Sequence, residues 1–152
     1  PYYRWAASDY LPERSQALQL EMARDPFVVG LKRQLPPSMG AGTVLRYARN
    51  LLTALRDNGL LVGKVKKRIS SPTLSCRSLA YMLYALSDCG VGANEFDGSP
   101  LFRSLLKPRE LFIPLFQEGE RSGFWEFGGD RSRLTFNLKY GGLGPWMEAI
   151  SL

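Results

Sequence analysis

A mainly helical α+β fold is predicted by three observations. At 100° per residue, Val44, Ala48, Leu51, Leu52 and Leu55 fall on one side of a helix spanning residues 43–56. A second stretch, around residues 74–86, carries apolar residues around nearly its whole circumference, the pattern of a buried central helix. Near the C-terminus, Leu134, Phe136 and Leu138 alternate with Thr135, Asn137 and Lys139, which is the period of a strand with one buried face. The chain has 152 residues, 45% of them hydrophobic, enough for a core without disulfide staples. A single compact domain is expected, with a winged-helix-like part at about 26–90 and a helical-plus-hairpin part at about 91–152.

Taken in order, Tyr2, Tyr3, Trp5 and Tyr10 form an aromatic opening expected to pack on the body. Residues 13–23 read as a helix with Pro12 at its start, and Asp25-Pro26 opens another over 27–35. Pro36-Pro37 ends it, and residues 38–42 form a loop. Thr43 is the expected N-cap of the next helix and Gly59 its left-handed C-terminal residue. Residues 60–62 and 65–69 pair as a small hairpin with Gly63-Lys64 at its tip. Thr73 or Ser75 caps the central helix, which Gly90 ends; Tyr81 and Tyr84 sit at its core edge. Ser99-Pro100 opens a short helix to residue 106. Pro108 opens another to about residue 117, kinked by Pro114. A second hairpin spans 123–140 with its turn at Gly128-Gly129-Asp130, and a short helix closes the chain near Pro145.

Function is bounded first by what is missing. The sequence contains no histidine, which removes Ser-His and Cys-His pairs, imidazole acid–base chemistry and the usual zinc sites. Gly40-Ala41-Gly42-Thr43 lacks the lysine and spacing of a phosphate loop, although its backbone N–H groups suit a phosphate at a helix start. Glu118 and Glu120 with Glu126 or Asp130 show no metal-ligand spacing. No catalytic residue, metal or cofactor is expected, and the chain reads as a binding protein. Cys76 and Cys89 lie too far apart along one helix for a disulfide, which suits a reducing cytoplasm. No stretch is long and apolar enough to span a membrane. The sequence begins at Pro1 and leaves room for a segment before it.

Charge then points to a partner. The net charge is +6, but residues 26–80 alone carry +9, with ten Lys/Arg against Asp57. A field this local attracts polyanions. Arg46, Arg49 and Arg56 fall within about 80° on the polar side of the 43–56 helix, suited to phosphate oxygens or base edges. Lys64, Lys66, Lys67 and Arg68 occupy the hairpin as wing contacts, with Lys32, Arg33 and Arg77 peripheral. Double-stranded DNA held mainly through phosphates is the expected partner. The alternatives are an adaptor whose basic face docks an acidic protein, and RNA binding, which needs exposed aromatics beside the basic strip.

Thr43-x-x-Arg46, Leu51-Leu52 and Leu55, then Asp57-Asn58-Gly59-Leu60-Leu61 and a basic turn into Ser71-Pro72, resemble the BrxA family of bacterial BREX phage-exclusion systems. Ser99-x-Leu101-Phe102-Arg103-x-Leu105 and the hairpin from Gly123-Phe124-Trp125 to Asp130 are similar to that family's C-terminal half. The resemblance covers roughly residues 40–140. It implies a small, mostly helical cytoplasmic protein with winged-helix-like parts that binds double-stranded DNA alongside other defence-system subunits.

Overall fold

The computed structural model describes residues 1–129 and 134–151. It is mainly helical, with one three-stranded and one two-stranded antiparallel sheet. The chain divides into two units, Pro1–Pro72 with Arg103–Leu106, and Thr73–Phe102 with Lys107–Leu152. The boundary expected near residue 90 therefore falls after Pro72, because the central helix packs within the second unit.

The first unit opens with α1 (Tyr2–Trp5), a π-helical turn (Ala6–Tyr10) and α2 (Leu11–Gln16). Trp5 packs on Tyr10 and Phe27, with ring centroids 5.1 and 5.9 Å apart, so Tyr2, Trp5 and Tyr10 pack against the core while Tyr3 stays exposed. The helix predicted over 13–23 stops at Gln16. Leu18 takes a φ of 56°, where an L-residue cannot continue a right-handed helix. Glu21–Met22 is instead strand β1, with Met22 buried. Two residues show no period, so pattern alone assigned them to the preceding helix.

Helix α3 (Arg24–Gln34) buries Phe27 and Leu31. It starts earlier than expected, and Pro26 lies in its first turn, where a missing N–H breaks no bond. Helix α4 (Ala41–Asp57) buries Val44, Ala48, Leu52 and Leu55, and Leu51 is half-buried. Its N-cap is Gly40 rather than Thr43. Gly59, at φ 75°, ends it as expected: the Leu60 N–H reaches the Leu55 carbonyl and the Gly59 N–H the Arg56 carbonyl, both at 2.9 Å. Strands β2 (Leu61–Val62) and β3 (Lys67–Ile69) form the predicted hairpin, with Leu61 opposite Ile69 and Val62 opposite Arg68. β1 pairs on the other side of β3, Glu21 opposite Arg68 and Met22 opposite Lys67. The order from α2 to β3 is helix, strand, helix, helix, strand, strand, with sheet order β1-β3-β2. This is a winged-helix-like element order, with residues 63–66 as the wing joining β2 to β3. The short segment Arg103–Leu106 completes the unit. Leu106 joins the core, its carbonyl accepts from Ser71 Oγ at 2.8 Å, and Arg103 pairs with Asp9 at 3.0 Å.

In the second unit α5 (Cys76–Asp88) is capped by Ser75, whose Oγ accepts from the Ser78 N–H at 3.1 Å. Helix α6 (Pro100–Arg103) is shorter than predicted, and Leu106 at φ 55° bars its extension. Pro114 does not kink a helix. It sits in the first turn of α7 (Ile113–Arg121), after a 3₁₀ turn over Arg109–Phe112. Strands β4 (Trp125–Gly129) and β5 (Leu134–Leu138) pair from Trp125 opposite Leu138 to Gly129 opposite Leu134. Gly128 and Gly129, expected in the turn, thus belong to β4, and Asp130 lies outside the described residues. Helix α8 is Leu143–Ile150.

Aromatic rings fill this unit. Trp125 is fully buried, and its Nε1 donates to the Phe116 carbonyl at 2.8 Å. Tyr84 is a core residue rather than an edge one: it stacks on Trp146 at 5.5 Å between centroids, and its hydroxyl donates to the Phe124 carbonyl. Tyr81 stays half exposed.

The cysteines are both free, Cys76 buried and Cys89 exposed. Burial, reinforced by the negative charge of Glu118, raises the Cys76 thiol to about 11. With the folded-state value raised, the protonated thiol adds stability below the ordinary thiol range, and this is lost as pH rises through 11. A thiol reagent at pH 8 is expected to modify Cys89 alone in the native protein, with Cys76 reacting only after denaturation. Equal labelling of both native thiols would disprove the burial of Cys76.

Candidate nucleic-acid interface

The cations of the first unit sit on two structural features. In sequence, residues 1–72 hold twelve Lys/Arg and five Asp/Glu. Helix α4 turns its apolar stripe inward, so amphipathic geometry forces Arg46, Arg49, Asn50 and Thr53 outward, and all four are exposed. Among the described residues, neither Arg46 nor Arg49 has a carboxylate within 4.0 Å. Arg56 differs. Its Nε and Nη2 both donate to Asp57 Oδ1, at 3.0 and 2.8 Å, so its charge is locally compensated. The predicted row of three arginines is therefore two unpaired cations and one paired. Residues one apart do not normally face each other on a helix, and this pair forms where α4 ends.

The wing is built on Gly63. Its φ is 93°, and a Cβ there would lie 2.1 Å from the Lys66 carbonyl oxygen, so only glycine fits the turn. Lys67 Nζ donates to the Lys64 carbonyl at 2.9 Å, which ties the two sides of the wing together. Val65 stands 95% exposed between Lys64 and Lys66, an apolar side chain held in water by no internal contact of consequence. Arg68 lies in β3, opposite Glu21 and Val62, and is exposed.

Helix and wing meet in an open groove of about 580 Å³. Leu45, Arg49, Leu52 and Thr53 of α4 form one wall, and Val65 and Lys67 of the wing region another. Met22 and the start of α3, from Ala23 to Pro26, close the third side. Arg24 there is exposed and pairs with Asp25 at 3.4 Å. Sequence reasoning missed the contribution of β1 and the first turn of α3, whose only signal was the pairing of Asp25 with Pro26. Lys32 and Arg33 occupy the last turn of α3, exposed and outside the groove lining. Cations at a helix C-terminus also favour the helix dipole. Arg77 is on α5, in the second unit, and takes no part in this groove.

Tyr47 of α4 is 39% exposed, with its ring edge-on to Tyr2 at 6.1 Å. Two of the acidic residues weighed as metal ligands, Glu120 and Glu126, hydrogen-bond to the second hairpin. Glu120 Oε1 accepts from the Phe127 N–H at 3.0 Å, and Glu126 Oε2 from Asn137 Nδ2 at 3.2 Å. Among the described residues, no three of Cys, Asp and Glu cluster as a metal site, and no helix is long and apolar enough to cross a membrane.

No protein-family model, curated protein or solved structure matches this chain. What the interface does must be argued from its own chemistry. Arg49 of α4 and Lys67 of β3, neither with a carboxylate within 4.0 Å among the described residues, border one groove with apolar side chains between them.

Proposed function

We propose that the winged unit binds double-stranded DNA, mainly through backbone phosphates. One observation supports the reading: Arg49 and Thr53 of α4, Val65 of the wing and Lys67 of β3 border the same groove, so a cation of the helix and a cation of the hairpin line one concavity. A duplex offers phosphates at matching intervals on both sides of its grooves, which suits a helix and a wing acting together. The likeness to BrxA proteins over residues 40–140 supports a cytoplasmic setting beside other subunits of a phage-defence system.

The test is a duplex titration at several salt concentrations. Arg49, Lys64, Lys66, Lys67 and Arg68 supply five candidate phosphate contacts, for an expected slope of log K against log salt of about −4.5. A slope near zero would sink the reading.

A second reading, docking of an acidic protein, draws on exposed Leu45 and Val65 among the cations, since apolar anchors ringed by charge suit protein interfaces. Partner capture that survives nuclease treatment would favour it.

A further inference from the structure

We infer that α4 reads base edges, with Arg46 and Asn50 as the reading pair, so that binding is sequence-selective and not a phosphate grip alone. The inference rests on the DNA-binding reading above and deepens it.

The first observation is the bareness of the helix start. Gly40, Ala41 and Gly42 are all exposed, and a Cβ added at Gly40 or Gly42 would meet nothing within 4 Å. Gly42 is helical with no positive φ, so neither packing nor backbone conformation requires a glycine there. Gly40 is the N-cap, where glycine is tolerated, but glycine inside a helix weakens it relative to alanine, and no contact of Gly42 among the described residues repays that loss. A close approach to something outside explains it, since recognition helices enter the major groove by their N-terminal half.

The second observation is Asn50. Asparagine is a poor helix former because its amide competes for backbone groups, yet it stands exposed in the middle of α4. Being neutral, it gains little from phosphate charge. Its amide does match the N6 and N7 edge of adenine as a bidentate pair. Arg46 lies one helical turn earlier on the same face, unpaired among the described residues, and its fork matches O6 and N7 of guanine. Neither residue lines the groove toward the wing, whereas Arg49 and Thr53 do. The work of α4 is thereby divided: Arg49 acts with Lys67 on the backbone, and Arg46 and Asn50 face the bases.

The experiment is selection from a randomised duplex pool with the full chain, repeated with Asn50→Ala and Arg46→Ala. The parent is expected to enrich a short motif with a guanine near an adenine. Asn50→Ala should lose the preference at adenine by about tenfold to a hundredfold with its salt slope unchanged. Arg46→Ala should lose the preference at guanine by a similar factor. Both positions are exposed, and alanine favours the helix, so folding is preserved. Normal salt-dependent binding without any enriched motif would overturn the inference and leave phosphate binding standing. Failure to bind any duplex would overturn both.

Discussion

Gly119→Ala is expected to lower the melting temperature of the second unit by about 10–20 °C. A Cβ at Gly119 would lie 1.9 Å from Cζ2 of Trp125 and 2.4 Å from two further ring atoms. The indole cannot retreat easily, because it is fully buried and held by its Nε1 bond to the Phe116 carbonyl. Overpacking of this kind costs about 1–3 kcal/mol, and pulling the ring off its acceptor adds about 1–3 kcal/mol for the unsatisfied group. Alanine's better helix propensity returns only about 1 kcal/mol. The net loss is about 2–3 kcal/mol at about 4–8 °C per kcal/mol for a unit of this size. Gly144→Ala in α8 is the control, since a Cβ there meets nothing within 4 Å. A Gly119→Ala protein that melts with the parent would show that Trp125 does not lie across α7.

The second large effect is on binding. Replacing Arg49, Lys66 and Lys67 together by glutamate should weaken duplex affinity by more than about a thousandfold at low salt and reduce the salt slope by about 3. Arg49 and Lys67 face the groove, so the variant places negative charge on both its walls. Arg68 is left unchanged because it lies opposite Glu21 in the sheet, where a second carboxylate would destabilise β1. The parallel variant Lys32→Glu with Arg33→Glu, at the exposed end of α3, should weaken binding far less. Equal losses from the two variants would mean that overall charge, not this surface, governs binding.

Where side-chain period is long, the structure follows the sequence closely. Val44, Ala48, Leu52 and Leu55 of α4 are buried as their spacing requires, and Leu134 and Phe136 alternate with exposed neighbours as expected. Local backbone signals also carried: Gly59 and Gly90 end their helices, and Ser75 caps α5. What escaped was set by tertiary pairing. β1 is only Glu21–Met22, and it exists because β3 offers a free edge to it. Pro114 reads equally as a kink or a helix start until the preceding 3₁₀ turn is known. At the site, the cationic residues were legible from composition, but the pairing of Arg56 with Asp57 and the separation of Arg77 were not. Both depend on geometry that a wheel projection does not contain.

The segment Arg103–Leu106 has a consequence for biosynthesis. The winged unit is contiguous from Pro1 to Pro72, yet its core lacks Leu106, and Asp9 and Ser71 lack their partners, until that segment arrives. On the ribosome the nascent wing therefore waits for about 34 further residues, a delay of a few seconds at usual elongation rates. Cutting the gene after Pro72 would yield a winged unit with an unfilled core rather than an independent module.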